Sequence, residues 1–145
     1  MPVSSAHELI VESADLAQAL AIRRAVFIVE QGIDEEIEID AFDENCRHYV
    51  ARRHGVAVGA ARQRPYGAGV AKIERMAVLA PHRRAGVGRA LLERMEADAA
   101  RDGATAIVLH AQDRALAFYA RCGYRVEGEG FEEAGIPHHR MRKTL

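Results

Sequence analysis

Residues 72–102 read KIERMAVLAPHRRAGVGRALLERMEADAARD, and the architecture of the chain turns on them. Lys72 to Leu79 is a short β-compatible run, whereas Val87, Leu91, Met95 and Ala99 recur at the spacing of one helix face. The stretch is therefore a strand, a tight turn and a helix. The turn holds Arg83, Arg84, Gly86 and Gly88, so unobstructed backbone N–H groups stand beside guanidinium groups at the positive end of the helix dipole. Such a turn suits a phosphorylated ligand. A P-loop would need Lys then Ser or Thr after its last glycine, where Arg89 and Ala90 stand, and a dinucleotide turn would want a small residue at Leu91. Glycines needed only for a tight turn are the structural alternative.

Working outward, 145 residues make one ordinary domain with room for a sizeable core. With 49% hydrophobic and 28% charged residues the composition is that of a soluble globular protein, and no apolar run approaches the roughly 20 residues of a membrane span. The start, MPVSSAHELIVESAD, lacks the basic lead and apolar core of a secretion signal, so a cytoplasmic protein is expected. Cys46 and Cys122 lie far apart without metal or redox spacing and read as ordinary thiols. The net charge of −1 hides an asymmetry. Glu30, Asp34, Glu35, Glu36, Glu38, Asp40, Asp43 and Glu44 crowd one segment, and Lys72, Arg75, Arg83, Arg84 and Arg89 another. The acidic run is either a solvated face or a surface that attracts a cation. Because the basic residues coincide with a small-ligand turn and the whole domain is not basic, nucleic acid is not expected as a partner.

The rest of the chain supplies the frame. His7 to Glu12 reads as a strand leading into a helix, with Ser13 and Asp15 placed to cap it and Gly32 to end it. An acidic loop follows. HYVARR and VAVGAARQR, separated by Gly55, read as a hairpin, and Pro65 to Gly67 breaks the chain before the strand at Lys72. Gly103 stops the long helix, Ala104 to His110 is a buried strand, and Asp113 to Cys122 is a compact helix. Tyr124 to Phe131 and His138 to Leu145 are two final strands around a loop with Gly135 and Pro137. The order predicts an α/β (α+β) fold, a mixed and largely antiparallel central sheet flanked by helices.

Two motifs carry a resemblance. Arg83-Arg84-Ala85-Gly86-Val87-Gly88 resembles the Gln/Arg-x-x-Gly-x-Gly/Ala pyrophosphate signature of the GNAT superfamily of acetyl-CoA-dependent N-acetyltransferases, and Ala115-Leu116-Ala117-Phe118-Tyr119 with Cys122-Gly123-Tyr124 resembles that family's Ala-x-x-Phe-Tyr-x-x-x-Gly-Phe/Tyr helix. The stretch from Val26 to Gly32 and the tail FEEAGIPHHRM look like the small ElaA/YjcF-like branch. The resemblance implies acetyl-CoA as co-substrate. Its pyrophosphate would lie on the turn from Arg83 to Arg89, its pantetheine arm along Met76, Ala77 and Val78, with Gln112 and Phe118 close by. In that fold the strand carrying Met76 and Val78 separates from the strand ending at His110. Small members of the family often pair through exposed strands or helices, so a homodimer is an open expectation beside the monomer.

Acyl transfer to an amine needs a neutral nucleophile, a stabilised oxyanion and a proton for the departing thiolate. The resemblance makes a backbone N–H on the Met76 to Val78 strand the oxyanion donor and Tyr119 the thiolate's proton donor. A core aromatic is the alternative for Tyr119. Glu74 is a candidate base, since alternation puts Lys72, Glu74 and Met76 on one face; a salt bridge is its alternative, and the family's strand glutamate aligns nearer Lys72. His110 ends its strand beside the cleft, and either it or Gln112 can hold a water or the pantetheine amide. The acceptor expected is a small amine arriving as a cation, drawn by the acidic run, with Arg24, Glu30 and His138 as further acceptor contacts. No metal site is expected, because His138 and His139 point to opposite faces of a strand. Cys122 lacks the partners of an acyl-enzyme nucleophile. A non-catalytic acyl-CoA-binding module is the competing function.

Overall fold

The computed structural model describes residues 9–145. Seven strands form one sheet in the order β1-β2-β3-β4-β5-β7-β6, with β1 Leu9–Ala14, β2 Arg47–Arg53, β3 Val56–Pro65, β4 Val70–Val78, β5 Ala106–Gln112, β6 Arg125–Glu133 and β7 Ile136–Thr144. Every neighbouring pair is antiparallel except β4 with β5. That single parallel pair needs a crossover, which α3 (Val87–Arg101) supplies. The expected mixed, largely antiparallel sheet is the one formed. Of the first expected strand, His7 and Glu8 lie outside the described residues. Pro137, expected in the final loop, is instead the second residue of β7, opposite Glu132, and the turn closes on Ala134 and Gly135 at positive φ.

Helices cover both faces. Val87, Leu91, Met95 and Ala99 of α3 are buried against Tyr49, Val58, Ile73, Leu109 and Met141, with Tyr119 of α4 (Leu116–Arg121) in the same core. On the other face α1 (Leu16–Arg23) packs Ala19 and Ile22, and the segment after it Val26 and Phe27, against Val50, Ala60 and Ala77. Asp15 caps α1: it accepts the Gln18 N–H at 3.0 Å while Gln18 accepts the Asp15 N–H. The helix expected to run on to Gly32 widens instead into a π-helical segment, Arg24–Glu30, whose end is tied by Gln31 N–H to Val26 C=O at 3.0 Å.

The acidic run divides: Glu30, Asp34, Glu35, Glu36 and Glu44 are exposed, whereas Glu38, Asp40 and Asp43 are held by arginines. Residues 35–45 fold into a short helix, α2 (Glu35–Glu38), and a 3₁₀ turn, Ala41–Asn45. Three arginines hold them down. Arg23, fully buried, pairs with Glu38 and Asp43 at 2.7 Å each, and Arg62 pairs with Asp40 and Asp43 at 2.7 Å each. Arg75 donates to the Glu38 carbonyl at 3.0 Å and to Asp40 at 3.1 Å. Burial pushes the Asp43 carboxyl up, but hydrogen bonds from Arg23 and Arg62 outweigh it and hold it at about 2, against 3.8 ordinarily. A depressed carboxyl stabilises the fold above its unfolded value and ceases to do so as pH falls through its folded value. Asp43 should therefore contribute about 2 kcal/mol of stability that is lost between about pH 4 and pH 2, and Asp43→Asn should remove that contribution from the acid loss seen in thermal unfolding.

Candidate active site

β4 and β5 pair from Val70 with Ala106 to Ile73 with Leu109 and then part. β4 continues on β3 as far as Val78, and β5 continues on β7 as far as Gln112. The backbone edges facing each other across this gap have no sheet partner. Leu79 N–H binds the Val58 carbonyl at 2.9 Å, while the Val78 carbonyl turns the other way and accepts Arg83 Nε at 2.9 Å. Strand alternation then directs the N–H groups of Val78 and Met76 into the gap. A cleft of about 730 Å³ passes through it, from Gly86, Gly88 and Tyr119 at one end to His110, Glu133 and His138 at the other.

A bulge decides which side chains enter that cleft together. Ala60 pairs with Ala77 but Arg62 with Glu74, so β4 carries an extra residue, and Arg75 sits at φ 57°. The faces exchange there. Met76 and Val78 pack with Ile73 on the α3 side, Ala77 packs on the α1 side, and Glu74 stays with Lys72. The expectation that Lys72, Glu74 and Met76 share a face is thereby corrected, since strict alternation fails at a bulge.

The two glycines of the turn serve different ends. Gly86, at φ 83°, is the N-cap of the fifteen-residue α3, and a Cβ there would meet nothing within 4 Å. A Cβ on Gly88 would lie 2.9 Å from Phe118, so that glycine lets α4 close on the turn. Arg84 is exposed and without a partner among the described residues, and Arg89 only grazes the Arg121 carbonyl at 3.5 Å. Both guanidinium groups are available to an anion. Arg83 is engaged: besides Val78 it grips Glu30 through both terminal nitrogens at 2.6 and 2.7 Å. The side chains of Ala85 and Val87 pack into the core, leaving only their backbone for a ligand. If the turn takes the pyrophosphate that the resemblance implies, Gly86→Asp should weaken coenzyme A binding by roughly 30-fold, about 2 kcal/mol, by setting a carboxylate against phosphate. Calorimetric titration checks it, with circular dichroism confirming that the fold survives.

Tyr119 lines the cleft beside the turn, its ring held between Phe118 at 5.0 Å and Tyr124 at 5.9 Å. Burial pushes its hydroxyl pKa well above the ordinary value, and that hydroxyl has no hydrogen-bond partner among the described residues. It stays protonated and free to donate. Cys46 and Cys122 are both free thiols; burial pushes the Cys122 thiol up, away from the thiolate a nucleophile needs.

At the other end Glu74 is clamped by Arg64 at 2.9 Å, Lys72 at 3.0 Å and Arg62 at 3.2 Å. Burial raises its proton affinity, but these cations outweigh it and hold the carboxyl below its usual range. A carboxylate so neutralised is a poor base, so the salt-bridge alternative holds for Glu74. Arg24, exposed, pairs with Glu35 at 3.3 Å, and neither it nor Glu30 lines the cleft. Asp34, Glu35 and Glu36 also stand outside it, while Glu38 and Asp40 line it already bound to arginines. The acceptor roles expected of Arg24, Glu30 and the free acidic run therefore have no geometric support. His138 is buried at the cleft wall, and Gln112 bridges the opening through Nε2 to Gln31 at 2.9 Å.

Residues 11–145 match the acetyltransferase (GNAT) domain family. The chain belongs to the GNAT acetyltransferase family. It is 42% identical over 129 residues to the uncharacterized N-acetyltransferase YjcF of Bacillus subtilis (strain 168), covering 88% of this chain and 91% of that one. Escherichia coli ElaA superposes with a TM-score of 0.80 at 25% identity, over 93% of this chain and 99% of that one. A GNAT family acetyltransferase from Elizabethkingia anophelis with acetyl-CoA bound shares the fold, with a TM-score of 0.75 at 17% identity over 95% of this chain and 99% of that one.

Within this GNAT fold the cleft includes residues that sequence reading passed over. Glu133 leans in from the β6-β7 hairpin tip and binds His110 Nδ1 at 3.0 Å; Gln31 reaches across from the end of the π-helical segment. In the sequence Glu133 stands only within the FEEAGIPHHRM tail, with nothing local to link it to His110. No helix among them is long and apolar enough to cross a membrane.

Proposed function

We propose that this acetyltransferase moves the acetyl group of acetyl-CoA to a primary amine of a small molecule by direct attack on the thioester. The observation that carries the reading is the parting of β4 from β5, which directs the Met76 and Val78 N–H groups into a cleft between the Gly86 turn and Tyr119. Arg84, Arg89 and the open N-terminus of α3 suit the pyrophosphate, and the free strand edges suit the amides of a pantetheine arm. The thioester supplies an activated acyl carbon.

The Met76 N–H is placed to stabilise negative charge on the acyl oxygen, fixed by the strand before any charge develops. Tyr119 gives its proton to the departing sulfur. Burial raises the Cys122 thiol and no imidazole hydrogen-bonds to it among the described residues, which supports direct transfer over an acyl-enzyme. The test is thiol release from acetyl-CoA across a panel of amines, with coenzyme A affinity measured separately by calorimetry. Release with selected amines and a matching mass gain on the amine is the expected result. Binding without release on any amine would make the protein an acyl-CoA-binding module.

A further inference from the structure

A direct attack requires a neutral amine, and most primary amines arrive as ammonium ions, so the cleft needs a proton acceptor. Glu74 is neutralised by three cations and Tyr119 must keep its proton. The remaining candidates stand where β5 leaves β4. His110 directly follows Leu109, the last residue of β5 paired to β4, and is half-buried in the cleft wall. Its Nδ1 meets Glu133 Oε1 at 3.0 Å, and Phe131 lies edge-on to the ring at 5.0 Å. These contacts fix the ring plane and place the Nδ1 proton toward the carboxylate, while Nε2 has no partner among the described residues. Glu133 is itself bracketed, with His138 Nε2 3.8 Å from its other oxygen. His138 uses Nδ1 on the Ile136 carbonyl at 2.7 Å, and its ring stacks on Phe131.

We propose that His110, held by Glu133, takes the proton from the acceptor ammonium, His110 being the catalytic base and Glu133 its positioning residue. The proposal rests on the amine-transfer reading above. His110 Nε2 removes one proton from the ammonium and passes it to solvent. The nitrogen lone pair forms the N–C bond, and the C–S bond breaks with its electron pair on sulfur. Tyr119 protonates the sulfur and recovers the second nitrogen proton. Ammonium and thioester thus give amide, thiol and one released proton. Imidazole suits this role because its ordinary pKa lies near neutrality, and the Glu133 contact on Nδ1 leaves Nε2 facing the cleft as the acceptor.

The charged and titratable groups around His110 are Glu133 on β6, His138 and Arg140 on β7, and Lys72 and Glu74 on β4. Arg140, its cross-strand partner, is drawn to Glu127 at 3.2 Å, and Lys72 to Glu74. Glu133 is thus the one carboxylate among them that hydrogen-bonds to the ring.

The experiment uses the best amine of the panel and follows kcat/KM against pH for the wild type, His110→Gln and Glu133→Gln. His110→Gln should lose roughly 100-fold at neutral pH and regain most of it near the pKa of the amine, where free amine forms without a base. Glu133→Gln should lose roughly 10-fold in kcat with the acetyl-CoA KM unchanged, the sign of a base left unpositioned rather than a binding site lost. A His110→Gln profile parallel to wild type at all pH values would overturn the assignment while leaving amine transfer intact. A loss that high pH does not recover would make His110 structural and overturn it too. If the wild type acetylates no amine, the underlying reading fails as well.

Discussion

Replacing Arg23 with alanine is expected to destabilise the protein by about 3–5 kcal/mol, the cost of leaving buried charge without its partner. Arg23 is fully buried and its guanidinium makes hydrogen bonds to both Glu38 oxygens, to the Glu38 carbonyl and to both Asp43 oxygens. Glu38 and Asp43 are themselves buried. Removing the guanidinium strands two carboxylates that only Arg62 and Arg75 can then serve, and each of those already holds Asp40. Against a usual total of about 5–15 kcal/mol, the loss takes a large share of the fold's stability. Denaturant midpoints measure it. Because Asp40 and Glu38 line the cleft, the same variant should raise the amine KM more than the acetyl-CoA KM. A shift under about 1 kcal/mol would mean that water reaches the carboxylates and replaces the arginine. Arg23→Met with Glu38→Met should recover part of the loss, because the pair is then removed whole.

This network also shows where sequence reading stops. The periodic elements were legible because each carries its own signal: the four-residue spacing of α3, the Gly55 hairpin, the apolar run of β5. The glycine turn at the start of α3 was legible as a local motif. The pairing of an acidic run with arginines 15 to 37 residues away along the chain was not, because side-chain charge gives no register for long-range contacts. The bulge at Arg75 has no sequence mark either; a non-glycine residue at positive φ there is imposed by β3 and the arginine's bonds to Glu38 and Asp40. That one inserted residue turned Met76 away from Glu74. Glu133 escaped notice because a hairpin tip brings it to His110 from 23 positions away.

Tyr119→Phe is expected to lower kcat by roughly 100-fold while leaving acetyl-CoA affinity nearly unchanged. The hydroxyl makes no hydrogen bond within the described protein, so its removal leaves no partner stranded, and the ring contacts with Phe118 and Tyr124 persist in the variant. In the proposed mechanism what is lost is the proton given to the departing sulfur. Burial keeps that proton on the oxygen across the working range, so the wild-type rate should show no loss at alkaline pH from deprotonation of Tyr119. Leaving-group chemistry separates this role from simple packing. An acyl donor whose thiol is more acidic needs less help in leaving, so the defect of the variant should shrink as thiol acidity rises. Single-turnover measurements with a series of acetyl thioesters read that slope directly. A defect of constant size across the series would assign Tyr119 to positioning, and no defect in the chemical step would return it to the core of α4 as a packing residue.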